Sequence, residues 1–303
     1  MSINHSDRPM KLFIYSQLFK DKDRQYVLDL ISVIKEQKIE LSIISDYLDQ
    51  LISADIELPK YSIISTYEDM LVDKPDMVVT LGGDGTILNA IDIVRDSGIP
   101  ILGINLGRLG FLSSIEKTKI KDSLRGVFNG EYYTEERTLL NLDCNLPLFQ
   151  ELPFALNDFT LHKRDTSSMI TIHTYINGKF LNSYWADGIV VSTATGSTGY
   201  SLSCGGPIIF PSSGNIIITP VAPHNLNVRP IVLSEDVKIT FEIEGRSENF
   251  LCTLDSRYET VTADHHISIQ KAKFRIKLAH PNDITFMKTI RGKLMWGLDK
   301  RNH

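Results

Sequence analysis

Along the first 130 residues, short unbroken apolar runs alternate with stretches in which apolar residues return every three or four positions. Lys11-Leu-Phe-Ile-Tyr15 is of the first kind and reads as a strand, whereas Val27, Leu30, Ile31 and Ile34 are at helical spacing. Ile39 to Ile44 supplies a second strand. A further run, Asp76-Met-Val-Val-Thr-Leu81, leads into Gly82-Gly83-Asp84-Gly85-Thr86, after which Ile87, Ala90, Ile91 and Val94 mark a helix closed by Gly98. Ile99-Pro-Ile-Leu-Gly-Ile104 returns to strand. Apolar strands alternating with helices predict a mostly parallel sheet covered on both faces, the doubly wound α/β class.

A last helical pattern, at Ile120, Leu124, Val127 and Phe128 with Gly130 to end it, precedes a change of character. From about Arg137 the chain reads as β. Ile170, Ile172, Thr174 and Ile176 alternate and run into Asn177-Gly178, a hairpin signal. Val237, Ile239, Phe241 and Ile243 alternate again, as do Phe274, Ile276 and Leu278. The pattern therefore predicts an α/β domain of residues 1–133 joined by 280–303, and a β-rich domain of residues 134–279. The tail reads as a helix through Phe286, Ile290 and Leu294 that returns to the first domain.

Composition narrows the function classes. A chain of 303 residues, 42% hydrophobic and 23% charged, has the makeup of a globular protein of two ordinary domains. Its net charge of -5 and pI near 5.9 argue against nucleic acid or an anionic membrane as partner through a general basic field. Cys144, Cys204 and Cys252 are widely separated and lack zinc-site spacing, as expected of reduced thiols. Met1 to Met10 is polar, and no run of about 18 apolar residues occurs. The expected compartment is the cytoplasm.

The glycine turn carries candidate chemistry. Open α/β sheets bind ligands at the carboxyl ends of their strands, and Gly82, Gly83, Gly85 and Thr86 lie at such an end. There the backbone can approach phosphate oxygens, and the following helix offers free N–H groups. Asp84 is out of place in a purely phosphate-binding turn because it would repel the ligand. Its presence suggests a base that accepts a proton from an attacking hydroxyl; the plainer alternative is a helix cap. The turn lacks the Gly-Lys-Ser/Thr of a P-loop, and its glycine spacing is wrong for a redox dinucleotide fingerprint.

Gly82 to Thr86 is similar to a turn shared by kinases of NAD, of diacylglycerol and sphingoid lipids and, in looser form, of fructose phosphate. The segment Asp187-Gly-Ile-Val-Val-Ser-Thr-Ala-Thr-Gly-Ser-Thr-Gly-Tyr200, continuing as Ser201-Leu-Ser-Cys-Gly-Gly-Pro207, resembles the long signature of NAD kinases. Asn105 to Leu112, Ala155-Leu-Asn-Asp158 and Thr219 to Pro230 agree in order and spacing, so the resemblance spans roughly residues 76 to 256.

That resemblance implies an NAD kinase, which transfers a phosphoryl group from ATP or another donor to the 2′-hydroxyl of the adenosine ribose of NAD. It implies Asp84 as the catalytic carboxylate, and Asn157 and Asp158 as the family's Asn-Glu pair with an acid one methylene shorter. Asp187 is similar to the family's carboxamide-binding acid. Gly85, Thr198, Gly199, Tyr200 and Ser203 fall where the family surrounds its substrate, and a tyrosine ring can stack on a planar base. Ala194 stands where the family often has Pro, Gly199 where it usually has Ala, and Ile87 where Phe is frequent. The resemblance further implies a divalent ion, expected to be Mg²⁺, and a homodimer or homotetramer. The metal ligands are unknown at this point.

Other readings of these residues stay open. Residues 192 to 206 alone also suit a surface loop, and Asn157 and Asp158 suit a turn. His224 beside Pro223 suits a rigid loop, Arg229 is ambiguous, and His265 and His266 fall in an expected hairpin. A lipid kinase with the same turn, or a non-catalytic NAD or NADP sensor, are the competing functions.

Overall fold

The computed structural model describes residues 8–107, 110–164, 168–246 and 248–296. The chain divides into two compact units, one of residues 1–136 with 276–303 and one of residues 137–275.

The first unit carries strands of two kinds, unbroken apolar runs whose faces are both covered and shorter, partly exposed ones. They are β1 (Lys11–Tyr15), β2 (Glu40–Ile44), β3 (Tyr61–Ile64), β4 (Met77–Gly82), β5 (Ile101–Asn105) and the short β6 (Ile115–Glu116). Helices α1 (Arg24–Glu36), α2 (Ser45–Ser53), α3 (Tyr67–Asp73), α4 (Asp84–Val94) and α5 (Ile120–Phe128) alternate with them. The sheet runs β3-β2-β1-β4-β5, all parallel. Leu12, Phe13, Met77, Val78, Val79, Ile101 and Leu102 are fully buried. Helix α4 stops at Val94 rather than at Gly98, because Arg95 takes a positive φ of 42° and its N–H closes on the Ile91 carbonyl.

Strand β7 (Tyr132–Cys144) leads into the second unit, where β8 is Phe154–Ala155, β9 Asp158–Lys163, β10 Ile170–Ile176, β11 Lys179–Ala186 and β12 Gly188–Thr193. After a single helical turn, α6 (Tyr200–Ser203), come β13 (Asn215–Val221), β14 (Ile231–Ser234), β15 (Ile239–Glu244), β16 (Phe250–Leu254) and β17 (Arg257–Val261). The last strand, β18 (Ile267–Pro281), pairs antiparallel with β15 through Ile267 to Ile269 and parallel with β5 through Leu278 and Ala279. Helix α7 (Phe286–Leu294) ends the described chain within the first unit.

The β-rich unit holds its apolar core between two sheets. One contains β11, β10 and β15; the other is ordered β14-β13-β12-β9-β16-β17. Alternating residues of both point inward, and Phe159 stacks on Phe241 with ring centroids 5.6 Å apart. Asn177 and Gly178 both adopt positive φ in the tight β10–β11 turn, as the hairpin signal requires. His265 and His266 are not in a hairpin between paired strands. β17 pairs with β16 and β18 with β15, so residues 262 to 266 cross from one sheet to the other.

Packing of α4 onto the sheet leaves no room at Gly103 in β5. A Cβ there would lie 2.7 Å from Ile87 Cδ1 and 2.8 Å from the Ser113 Cα, and the second of these is backbone. Gly103→Ala should therefore cost about 1–3 kcal/mol, the usual range for overpacking. Denaturant titration of the two proteins measures it, and an unchanged midpoint would show that the strand shifts freely.

Candidate functional site

The residues singled out in the sequence fall into two groups, one in each unit. In the first, Gly82 closes β4 and Asp84 opens α4. A Cβ on Gly82 would meet Thr86 Oγ1 at 2.0 Å, so only glycine lets the chain turn so sharply into the helix. Gly83 and Gly85 are exposed, and a Cβ on either would meet open space. Their backbone is accessible to a ligand at the helix N-terminus.

Asp84 is not the helix cap. That position belongs to Gly83, and no side-chain cap bond is made. Instead its carboxylate accepts three consecutive backbone N–H groups from a distant loop: Phe111 to Oδ2 at 2.7 Å, and Leu112 and Ser113 to Oδ1 at 3.2 Å each. The Ser113 hydroxyl adds a 3.3 Å bond to Oδ1. A carboxylate has about four lone-pair sites. Oδ1 is crowded, whereas Oδ2 carries one short bond and keeps acceptor capacity. The loop can come this close because residue 110 is glycine; a Cβ there would lie 1.7 Å from Asp84 Oδ1. Within the Asn105 to Leu112 segment, the Asn105 Oδ1 accepts from the Gly107 N–H at 2.7 Å. Arg108 and Leu109 lie outside the described residues.

In the second unit, Asn157 and Asp158 form the turn into β9, and Thr198, Gly199, Tyr200 and Ser203 follow β12. The two segments are in close contact. Thr193 N–H donates to the Asn157 carbonyl at 2.9 Å, and a Cβ on Gly196 would lie 2.1 Å from that oxygen. A Cβ on Gly199 would come 3.2 Å from the Gly196 carbonyl oxygen and 3.7 Å from Asp158 Oδ2. An alanine there needs only a small adjustment. Tyr200 is 40% exposed, with its ring 5.6 Å from that of His162, and Ser203 is exposed.

Asp158 is buried, and burial together with the nearby Asp255 carboxylate raises its pKa to about 7, against a smaller opposing effect from the Tyr200 backbone N–H. Asp187 is half-buried and ion-paired with Lys163 at 2.6 Å. Its charge is therefore shared before any ligand arrives. His162, next to Lys163, is lowered in pKa chiefly by burial.

Sequence reasoning missed Asp255, His162 and Lys163. Asp255 lies in a turn between two strands, where an aspartate ordinarily signals a surface bend. Of the histidines singled out in the sequence, His224 packs its ring on Trp185 at 4.4 Å and donates its backbone N–H to the Trp185 carbonyl, His265 Nδ1 accepts from the Thr262 N–H at 3.0 Å, and the His266 backbone N–H donates to Asn145 Oδ1 at 2.7 Å. Arg229 braces its own loop through the carbonyls of Leu226 and Val228. Among the described residues, no three His, Cys, Asp or Glu side chains form a group that could hold a metal ion.

Known proteins match this chain over most of its length. Residues 25–132 match the ATP-NAD kinase N-terminal domain, and residues 156–280 match the ATP-NAD kinase C-terminal domain. A Cytophaga hutchinsonii protein named NAD kinase is 47% identical over 95% of this chain and 99% of its own. One of the same name from Flavobacterium johnsoniae is 44% identical over 97% and 100%. The fold is similar to that of yeast NADH kinase solved with NADH (TM-score 0.85, 23% identity, 96% of this chain and 89% of that one). It is also similar to that of an Archaeoglobus fulgidus NAD kinase solved with ATP (TM-score 0.70, 24% identity, 94% and 99%).

The contact between Gly110 and Asp84 can be tested directly. Gly110→Ala should drive the carboxylate off the loop and speed hydrogen exchange at the amides of Phe111, Leu112 and Ser113 by about tenfold or more, given a cost of about 1–3 kcal/mol for unmet polar groups. Unchanged protection at these three amides would refute the clasp.

Proposed function

Because the chain belongs to the ATP-NAD kinase family, we propose that it transfers the terminal phosphoryl group of ATP to the 2′-hydroxyl of the adenosine ribose of NAD, with Asp84 as the base. The observation that carries the assignment of Asp84 is its fixed carboxylate, held by the amides of residues 111 to 113 with Oδ2 still able to accept. The 2′-oxygen attacks the γ-phosphorus, the bond from that phosphorus to the bridging oxygen breaks, and ADP leaves. The hydroxyl proton passes to Asp84 Oδ2. Such transfers depend mainly on alignment and on charge neutralisation.

The first unit supplies this chemistry, with the backbone of Gly82, Gly83, Gly85 and Thr86 facing phosphate. The second unit recognises the dinucleotide: Asn157 and Asp158 hold ribose, Asp187 accepts from an amide, and Tyr200 stacks on a base, with Thr198, Gly199 and Ser203 lining the same segment. We assign Asp187 this role together with Lys163, since the ion pair must open or be shared when the amide binds. A divalent cation, Mg²⁺ in our reading, arrives with the nucleotide as part of the substrate. Mg²⁺ commonly keeps several waters and binds through substrate phosphates. Cytoplasmic location and assembly into a dimer or tetramer belong to the same proposal.

A lipid substrate is disfavoured by the family. Among the described residues no helix is long and apolar enough to cross a membrane.

Asp84→Asn should retain NAD binding within a few-fold and lose turnover by about 10²-fold or more, the scale of a general base. The assay couples NADP formation to an NADP-specific dehydrogenase, with NAD and NADH as acceptors and ATP and polyphosphate as donors. Near-normal turnover in the variant would remove Asp84 from the role of base.

A further inference from the structure

In the parallel sheet β3-β2-β1-β4-β5 the chain moves outward from β1 through β2 to β3, then returns to the other side of β1 as β4 and continues to β5. The connections that follow β1 and β4 therefore leave in opposite directions. Open α/β sheets hold their ligands in the crevice that such a divergence leaves at the carboxyl ends of the two strands. The glycine turn of residues 82–86 forms the β4 wall of that crevice. Its β1 wall is the segment from Ser16 to Lys22, which the reaction above does not use.

Strand register sets how near the two walls lie. Tyr15 is level with Thr80, so the next residues, Ser16 and Gln17, come level with Leu81 and Gly82, one strand spacing of about 4.8 Å away. The buried Ser16 hydroxyl donates to the Leu81 carbonyl at 2.7 Å and ties the two strand ends together. Beyond it the loop is braced by Gln50 of α2, whose Oε1 accepts the Phe19 N–H at 2.8 Å and whose Nε2 donates to the Gln17 carbonyl at 3.1 Å. One amide side chain thus fixes the backbone on both sides of Leu18. The Leu18 side chain itself stays 59% exposed.

The same segment is rich in charge, and its acids are occupied or covered. Asp21 pairs with Arg24 at 3.1 Å, and Asp23 is buried. Lys20 and Lys22 are exposed and, among the described residues, have no carboxylate partner. A braced loop beside a phosphate-facing turn thus offers an apolar side chain followed by two ammonium groups. That combination suits a nucleoside polyphosphate, since lysine binds phosphate as a point charge and the apolar side chain can cover a base.

We propose that residues 17–22 form the donor side of the active site: Lys20 and Lys22 hold phosphates of the incoming nucleoside triphosphate, Leu18 packs on its base, and Gln50 is the positioning residue that sets the loop. This rests on the reading of the chain as an ATP-dependent NAD kinase. It assigns the choice of donor to the first unit, and it favours a nucleotide over a bare polyphosphate, which gains nothing from Leu18.

Isothermal titration calorimetry of the full chain with ATP and with tripolyphosphate, Mg²⁺ present, tests the loop apart from catalysis. The double variant Lys20→Ala/Lys22→Ala should bind both ligands about tenfold or more weakly, the scale of lost hydrogen bonds to charged groups. Leu18→Ser should weaken ATP about threefold or more and leave tripolyphosphate within about twofold, because only the base loses apolar contact. In Gln50→Ala the KM for ATP should rise about threefold or more while the KM for NAD, kcat at saturating ATP and the Tm stay close to wild type, a split that general destabilisation would not give. Unchanged ATP affinity in the folded double lysine variant would overturn the proposal, as would equal effects of Leu18→Ser on ATP and tripolyphosphate. So would an equal rise of both KM values in Gln50→Ala. If Gln50→Ala does not fold, the lysine and leucine variants still decide the site. Loop-dependent ATP binding in a protein that forms no NADP would keep the donor site and reject the kinase reading, whereas NADP formation with every variant binding ATP as the wild type does would reject the donor site and keep that reading.

Discussion

In each unit, three consecutive backbone N–H groups of one segment converge on a single carboxylate from another. Asp84 gathers the amides of residues 111 to 113, and Asp255 gathers those of 156 to 158. Each bond to a charged acceptor is stronger than a neutral one, and each amide left without a partner would carry a desolvation cost of about 1–3 kcal/mol. The device fixes a loop without any regular secondary structure. In the first unit the anchoring carboxylate is itself the proposed base, while in the second it stands behind the residue assigned to the substrate.

Close backbone approach follows from this arrangement. Gly110 lies against the Asp84 carboxylate and Gly196 against the Asn157 carbonyl, in places where a methyl group would overlap its neighbour. Gly82 meets the same limit against Thr86. By contrast, Gly83 and Gly85 have open space beside them, and no packing limit explains them. Their free side fits a backbone that a phosphate can approach. Steric necessity and ligand access thus divide the glycines of one turn between them.

Much of the fold was legible because burial on both faces produces unbroken apolar strands, as in Lys11 to Tyr15 and Met77 to Leu81, and burial on one face produces alternation, as in Ile170 to Ile176. Strand β3 was not legible. Tyr61 to Ile64 is an edge strand, and its half-exposed pattern carries no strong period. The Asp84 turn stood out because an acid among phosphate-facing glycines is chemically odd. Asp255 gave no such signal, since its importance lies in amides about a hundred residues away, and a turn aspartate looks the same whether its carboxylate meets water or three buried N–H groups. Lys163 was hidden for a similar reason. Nothing local reveals that it pairs with Asp187.

As a member of the ATP-NAD kinase family, this chain phosphorylates the 2′-hydroxyl of the adenosine ribose of NAD. Phosphorus NMR of the product formed from ATP and NAD by the purified protein tests it most directly. A new phosphomonoester resonance coupled to the proton on C2′ of the adenosine ribose is expected, growing in step with ADP. ATP hydrolysis without that resonance, or a phosphomonoester on another hydroxyl, would contradict it.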